Sequence, residues 1–295
     1  MTIENPDTEA ALITPYIVIL GTAQDGGYPQ AGCNKECCKE AWINPSLRRR
    51  VTSIAIVDPI TKDRWLFDIT PDFKEQFHIL EGLSPILDKN IISGIFLTHG
   101  HTGHYTGLIN LGREVMNTKN IDVFAMPRML NILKANAPWN QLIKQGNIKL
   151  NFLNNNVSKT LNNRINVTPF IVPHRDELTE TVGFKITSQN KTAVFIPDID
   201  SWNENIFKIV RAADVALIDG TFFNENELSD RDLNEVRHPF IEESVNLFNQ
   251  HPQKDKIHLI HFNHTNPVLK PDSEEHTKVI QSGFQIAREK QIIEL

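Results

Sequence analysis

Cysteine is scarce in this chain of 295 residues: there are three, all between Cys33 and Cys38. An odd number so closely bunched cannot build a disulfide framework, and a reducing compartment, the cytoplasm, is the expected setting. Long apolar runs are absent, and no stretch approaches the length of a membrane-spanning helix. The first 14 residues lack a basic flank leading into an apolar core, so no signal peptide is expected. Basic excess is missing too: 30 Lys and Arg stand against 36 Asp and Glu, a net charge of −6. That balance argues against a nucleic-acid backbone as the main partner. The basic run Arg48-Arg49-Arg50 reads as a solvated loop ahead of a strand. Internal repeats, low-complexity segments and linkers are also lacking. The expectation is one domain over 1–295, long enough to bury a large core, with a cysteine-bearing loop around 24–45. Oligomeric state is not legible.

What the chain does have is a series of short apolar runs rich in β-branched residues, at 16–20, 51–57, 65–67, 92–97, 121–125, 165–172, 192–196, 215–218 and 257–261. Many are bounded by Gly, Pro, Asn or Asp, as strands usually are. Helical patterns lie between some of them, at 105–117, 127–135 and 240–249. Paired strands early, with helices later in each half, predict packed sheets covered by helices, an α/β (α+β) arrangement.

The densest chemistry is Leu97-Thr98-His99-Gly100-His101-Thr102-Gly103-His104, three histidines at the end of an apolar run. Neutral imidazole is the commonest protein ligand for zinc and related ions. His99 and His101, two apart in extended chain, point to one side and can grip one ion. His104, in the first turn of the next helix, approaches from a neighbouring direction. One short segment cannot close a coordination shell, so later residues must complete it. His174, Asp198 and His261 each follow an apolar run and precede a loop, and are the candidates.

A strand followed by His-x-His-x-x-His, then a His, an Asp and a final His at successive strand ends, resembles the metallo-β-lactamase superfamily. The resemblance runs from Ile17 to about Leu269 and implies a four-layer αββα sandwich with a metal site along one sheet edge. Three stretches are similar to the branch of coenzyme PQQ synthesis protein B. They are 18–33 with Gly26-Gly27-Tyr28-Pro29-Gln30, Leu217-Ile218-Asp219-Gly220-Thr221-Phe222, and Ile260-His261-Phe262-Asn263-His264-Thr265-Asn266-Pro267. A related branch of cyclic phosphate hydrolases shares the cysteine-bearing opening. The resemblance implies that His99, His101 and His174 hold a first metal and that His104, Asp198 and His261 serve a second, with Asp198 bridging. Asp68 matches an aspartate that supports the histidine loop. Gly103 departs from the pattern, because the superfamily usually has a ligating Asp there. Asp200 could compensate, and an Asp introduced at 103 is expected to raise second-site occupancy.

Cys33, Cys37 and Cys38 offer soft ligands suited to zinc, and His264 could close a Cys₃His site like the structural zinc loop of these branches. The spacing differs, with Lys35 where the middle cysteine of that loop would fall. The implied activity is that of a metal-dependent hydrolase using metal-bound hydroxide on an ester, lactone or phosphodiester of a small molecule. Asp198 would orient the nucleophile, His238 would donate a proton, and Arg175 would bind a substrate carboxylate or phosphate. Tyr28, Phe222 and Phe223 could line the pocket. Zinc is the expected ion, with iron or manganese as options. An oxygenase of PQQ-type coenzyme synthesis and a silent metal or small-molecule binder are the alternative readings.

Overall fold

Every residue of strand β1 (Tyr16–Gly21) is buried. Ile17 and Ile19 face one apolar cluster, whereas Tyr16, Val18 and Leu20 face another. Side chains alternate across a strand, so burial of both sets requires a layer on either face. In the computed structural model, which describes residues 13–84, 92–228, 237–251 and 253–295, those layers are a second sheet on one side and helices on the other.

The first sheet contains β1, β2 (Ser53–Asp58), β3 (Asp63–Phe67), β4 (Gly94–Phe96), β5 (Ile121–Ala125) and β6 (Ile148–Phe152). The second contains β7 (Lys159–Thr160), β8 (Asn166–Ile171), β9 (Val182–Thr187), β10 (Thr192–Ile196), β11 (Val215–Asp219), β12 (Ile257–Ile260) and β13 (Gln285–Ile286). The chain then returns as β14 (Ile292–Glu294) to pair antiparallel with β1, giving the orders β14-β1-β2-β3-β4-β5-β6 and β13-β12-β11-β10-β9-β8-β7. From β3 to β6 and from β10 to β13 the neighbours run parallel, so the carboxyl ends of several strands gather at one edge of each sheet.

Between the sheets lies an aromatic stack. Phe96 stacks on Phe67 at 5.0 Å and on Phe124 at 4.6 Å, and Phe184 from the other sheet sets its edge against Phe67 and Phe96. Phe67 directly precedes Asp68 and Phe96 lies two residues before Thr98, so close packing fixes the strand ends that carry the polar chemistry.

Of the helices, α1 (Glu36–Ile43) belongs to a small cluster with Ala23, Tyr28 and the buried cysteines. The outer face of the first sheet is covered by α2 (Phe73–Leu83), and α3 (Thr102–Tyr105) is a single turn carrying His104. Helices α4 (Pro127–Ala135) and α5 (Trp139–Lys144) complete that layer. Over the second sheet lie α6 (Glu204–Ala212), α7 (Ile241–Phe248) and α8 (Glu274–Gln281). Side-chain caps begin two of these, Asn203 accepting from the Ile206 amide and Ser273 from that of His276. The four layers are helix, sheet, sheet, helix, as expected from the histidine pattern.

One expected element differs. The helix expected at 105–117 is instead α3 followed by a 3-10 segment, Thr106–Leu111. Gly107 is the reason: a Cβ there would stand 2.2 Å from the carbonyl oxygen of Thr70, so the chain passes closer to its neighbour than a regular helix with side chains permits. Among the described residues no helix is long and apolar enough to cross a membrane.

Candidate metal centre

Each chemical side chain arrives from the end of a buried strand. Asp68 follows β3, His99 and His101 follow β4, and His104 sits in α3. His174 comes three residues after β8, Asp198 two after β10, and His261 directly after β12. Asp68 and His261 both adopt left-handed backbone, φ 62° and 70°, and Arg175 lies at φ 23°. Such conformations cost a non-glycine residue about 1–3 kcal/mol and persist where the surroundings over-determine them.

The structure brings the expected ligands together in two groups joined by one carboxylate. In the first, the ligand atoms of His99, His101 and His174 all lie within 4.8 Å of one another, with His174 Nε2 3.3 Å from His101 Nδ1. In the second, His104 Nε2 and His261 Nε2 stand 3.0 and 3.3 Å from Asp198 Oδ2. The other oxygen of Asp198 is 3.6 Å from His174 Nε2, so this residue touches both groups.

The second ring nitrogens are held by partners that fix each imidazole. His104 Nδ1 is 2.6 Å from Asp68 Oδ2, and a carboxylate only accepts, so Nδ1 donates and Nε2 is left to ligate. His174 Nδ1 pairs with Asp200 Oδ1 at 2.8 Å, His261 Nδ1 with Thr221 Oγ1 at 3.0 Å, and His99 Nδ1 with Thr98 Oγ1 at 2.9 Å. Asp200 therefore orients His174 and also accepts from the Arg175 amide; it is not a substitute ligand for position 103.

Five buried polar atoms at this point have no hydrogen-bond partner: His99 Nε2, His104 Nε2, His261 Nε2, Asp198 Oδ2 and Asp25 Oδ1. Buried polar groups are nearly always paired, so five orphaned ligand atoms converging on one place fit a metal cation. Imidazole and carboxylate donors suit zinc, iron or manganese. Burial, reinforced by the charges of His104 and His174, holds His99 well below the usual imidazole range. Burial also lowers His101, with His174 beside it. Neutral imidazole is the form that ligates. Burial opposes charge on Asp198, but His261, His174 and His104 outweigh it and keep that carboxyl well below the usual range.

His238 lies beside this centre with its Nδ1 2.7 Å from Asp219 Oδ2, and burial of the ring is outweighed by that carboxylate, which raises its pKa. Asp219 is itself fixed by the amides of Ile199 and Thr221. Two cavities meet at His174 and Arg175. One, of about 300 Å³, is bordered by Asp25, His101, Asp198 and His238; the other, of about 630 Å³, adds Arg128, Arg237 and Asp200. Arg175 thus lies on the rim that the two cavities share. The aromatics do not: Tyr28, Phe222 and Phe223 are all buried, and Tyr28 donates its hydroxyl to the Cys37 carbonyl. Ring area that large is better buried than exposed at a wet rim.

The cysteines form a separate cage. Ligand atoms of Cys33, Cys37, Cys38 and His264 all lie within 4.8 Å of one another. Cys33 and Cys37 sulfurs are 3.7 Å apart, and His264 Nδ1 stands 3.7 and 3.3 Å from those of Cys37 and Cys38. Two sulfurs about 2.3 Å from a tetrahedral ion are separated by about 3.8 Å, so the cage fits zinc. Helix α1 begins at Glu36, which places the adjacent Cys37 and Cys38 in its first turn.

The sequence reading did not single out Asp219, Thr221 or Asp25 as site residues. Asp219 and Thr221 stood in a motif recognised for other reasons, at a strand end like that of Asp198. Asp25 carried no such signal, because β1 ends four residues earlier and a loop intervenes.

A family model described as beta-lactamase superfamily domain matches residues 63–262, more than half of the chain. The chain belongs to the beta-lactamase superfamily. Within it, the chain is similar over nearly its whole length to coenzyme PQQ synthesis protein B. The protein of that name from Xanthomonas campestris pv. campestris (strain B100) is 27% identical over 298 residues, covering 92% of this chain and 97% of that protein. The one from Acinetobacter baylyi is 28% identical over 309 residues, covering 95% and 99%. Among solved structures, Zn(2+)-bound PqqB from Methylobacterium extorquens aligns with a TM-score of 0.81 at 25% identity, covering 95% of this chain and 100% of that one. A diphosphatase from the PhnP family shares the fold at a TM-score of 0.71 and 21% identity, covering 95% and 97%.

Proposed function

We propose that this chain is a metal-dependent hydrolase acting on an ester, lactone or phosphodiester of a small anionic molecule. The observation that carries this reading is the convergence of five orphaned buried ligand atoms beside an open cavity and a carboxylate-paired histidine. His99, His101 and His174 would hold one zinc ion, and His104, His261 and Asp198 a second. Ions held there would supply Lewis acidity and lower the pKa of water.

The remaining work falls to the chain's own side chains. Asp198, spanning both groups, accepts a hydrogen bond from the attacking water and holds it against the substrate. His238 donates its Nδ1 hydrogen to Asp219, and that carboxylate favours the imidazolium, whose second proton, on Nε2, passes to the leaving group and leaves the ring neutral. Arg175 on the shared rim binds a substrate phosphate or carboxylate through its guanidinium fork. The cysteine cage, with zinc, pins the 24–45 loop against His264. Three thiols in such a cage agree with a reducing cytoplasm.

The test is metal content together with turnover of a phosphodiester and a lactone, on protein loaded in turn with zinc, iron and manganese. Zinc loading should give hydrolysis, and His101→Ala should abolish both turnover and the first ion. His238→Gln should keep its ions and slow substrates with poor leaving groups most. Full hydrolytic activity in His101→Ala would overturn the reading. The likeness to PQQ synthesis protein B over 92% of the chain favours a second reading, an iron oxygenase of coenzyme synthesis. Iron-dependent oxygen uptake would select it, and bound metal with neither turnover would mark a silent binder.

A further inference from the structure

Gly103 stands where the superfamily pattern leads one to expect a carboxylate, and the simple reading is that the second metal has lost a ligand. The space around Gly103 says otherwise. A Cβ built there would stand 2.3 Å from Asp25 Oδ1 and 2.7 Å from the Asp25 Cα, so no side chain at 103 can coexist with the 25 loop as it lies. Gly103 does not have the left-handed backbone that favours glycine, and it lies within α3, where glycine costs roughly 1 kcal/mol relative to alanine. Conformation therefore does not explain the glycine, whereas the presence of Asp25 does.

Asp25 is aimed at the second ligand group. Its Oδ1 is 3.0 Å from His104 Nε2 and 3.9 Å from His261 Nε2, and it is buried without a hydrogen-bond partner although the residue as a whole is partly exposed. With His104 and His261 it forms a compact set of ligand atoms, all within 4.8 Å. The loop that carries it is anchored to the strand end that carries His261. Gln24 donates its amide to the Phe262 carbonyl, Ala23 bridges to both Val51 and Phe262, and Gly27 closes the turn onto the Gln24 carbonyl. Backbone hydrogen bonds on either side of the carboxylate thus hold it beside His261.

We infer that Asp25 is the carboxylate ligand of the second metal, delivered from the loop after β1 instead of from position 103, and that Gly103 is small to admit it. The inference rests on the metal-centre reading above and deepens it: the second site is a complete His₂Asp₂ set of Asp25, His104, Asp198 and His261. Ligand atoms about 2.0–2.2 Å from a tetrahedral ion stand roughly 3.3–3.6 Å apart, and the separations of 3.0, 3.0, 3.3 and 3.9 Å bracket that range. An aspartate introduced at 103 would collide with the ligand already present, so the gain in occupancy expected from the sequence pattern is not expected from the structure.

The test is zinc binding to the full chain, read as ions per chain by elemental analysis and as affinity by chelator competition. Cobalt substitution separates the sites, because ions in the cysteine cage carry thiolate charge-transfer absorption that ions on histidine and carboxylate lack. Wild type should hold two ions at the histidine sites. Asp25→Asn, which keeps the shape, and Asp25→Ala should each weaken the second by about 100-fold or more and leave the first and the cage unchanged. Gly103→Ala, which displaces the carboxylate while leaving it in the sequence, should do the same. Two tightly bound ions in both Asp25 variants would overturn the inference while the metal-centre reading stands. A wild-type chain holding a single ion there would overturn it as well. Absence of any ion on His99, His101 and His174 would remove the reading beneath it.

Discussion

Asp68→Asn separates the orientation of a ligand from its presence. Asp68 is fully buried and accepts three hydrogen bonds, from the Thr98 amide at 2.8 Å, the Thr98 hydroxyl at 2.8 Å and His104 Nδ1 at 2.6 Å. Asparagine matches its shape, tolerates the left-handed φ of 62° better than most residues, and still accepts from the Thr98 amide through its oxygen. Its NH₂ then faces His104 Nδ1, a donor facing a donor. The imidazole relieves this only by carrying its proton on Nε2, the atom that should ligate. One charge-assisted hydrogen bond in a buried site is worth about 1.5–3 kcal/mol, which is the expected loss of stability in metal-free protein. Loss of the orienting partner should weaken the ion held by His104 by roughly 10–100-fold. Asp68→Ala should lose more stability, because it also leaves the Thr98 amide unpaired. Urea unfolding of the metal-free protein followed by circular dichroism gives the first number, and zinc competition with a chelator gives the second. An Asn variant with wild-type zinc affinity at both histidine groups would refute the argument that Asp68 acts by fixing the tautomer.

Three further perturbations probe other parts of the molecule. Cys38→Ser should remove one zinc equivalent per chain and speed proteolysis within the 24–45 loop; unchanged stoichiometry would remove the cage as a zinc site. Glu227 is raised to about 7, chiefly by burial, so folded protein holds its proton where unfolded chain has released it. The stability this gives is fully present below about pH 4.5 and is lost as pH rises through about 7, so Glu227→Gln should flatten the fall between those values in urea unfolding at a series of pH values. Phe96→Ala should cost about 3–5 kcal/mol by opening a cavity among Phe67, Phe124 and Phe184, a large downward shift in Tm by calorimetry.

Much of the fold was legible for one reason. Strands covered on both faces read as continuous apolar runs, and β5, β10 and α4 begin and end where their runs do. Elements that escaped notice lack that signature. β14 is short and partly exposed, and its place is set by pairing with β1 from the far end of the chain. β9 mixes Gly183 and Lys185 into its apolar pattern. Helix α6 is short and sets Ile206, Phe207, Ile209 and Val210 among charged residues, too brief a pattern to stand out. Regular helix also stops early, at Tyr105, just before Gly107 passes close to the Thr70 carbonyl.

The candidate ligands were legible in the sequence: the three clustered histidines, His174, Asp198 and His261 at strand ends, and a thiol loop with a histidine to close it, all of which the fold brings together. Spacing along extended chain and the donor character of each side chain suffice to pick them out. The resemblance already implied their division into two groups around Asp198; that Asp200 and Asp219 orient histidines is visible only once the chain is folded. The tertiary structure alone brought Asp25 against Gly103. Those relations depend on which strand ends meet at one edge and on a few ångströms of free space, quantities that arise from packing between segments far apart in the chain.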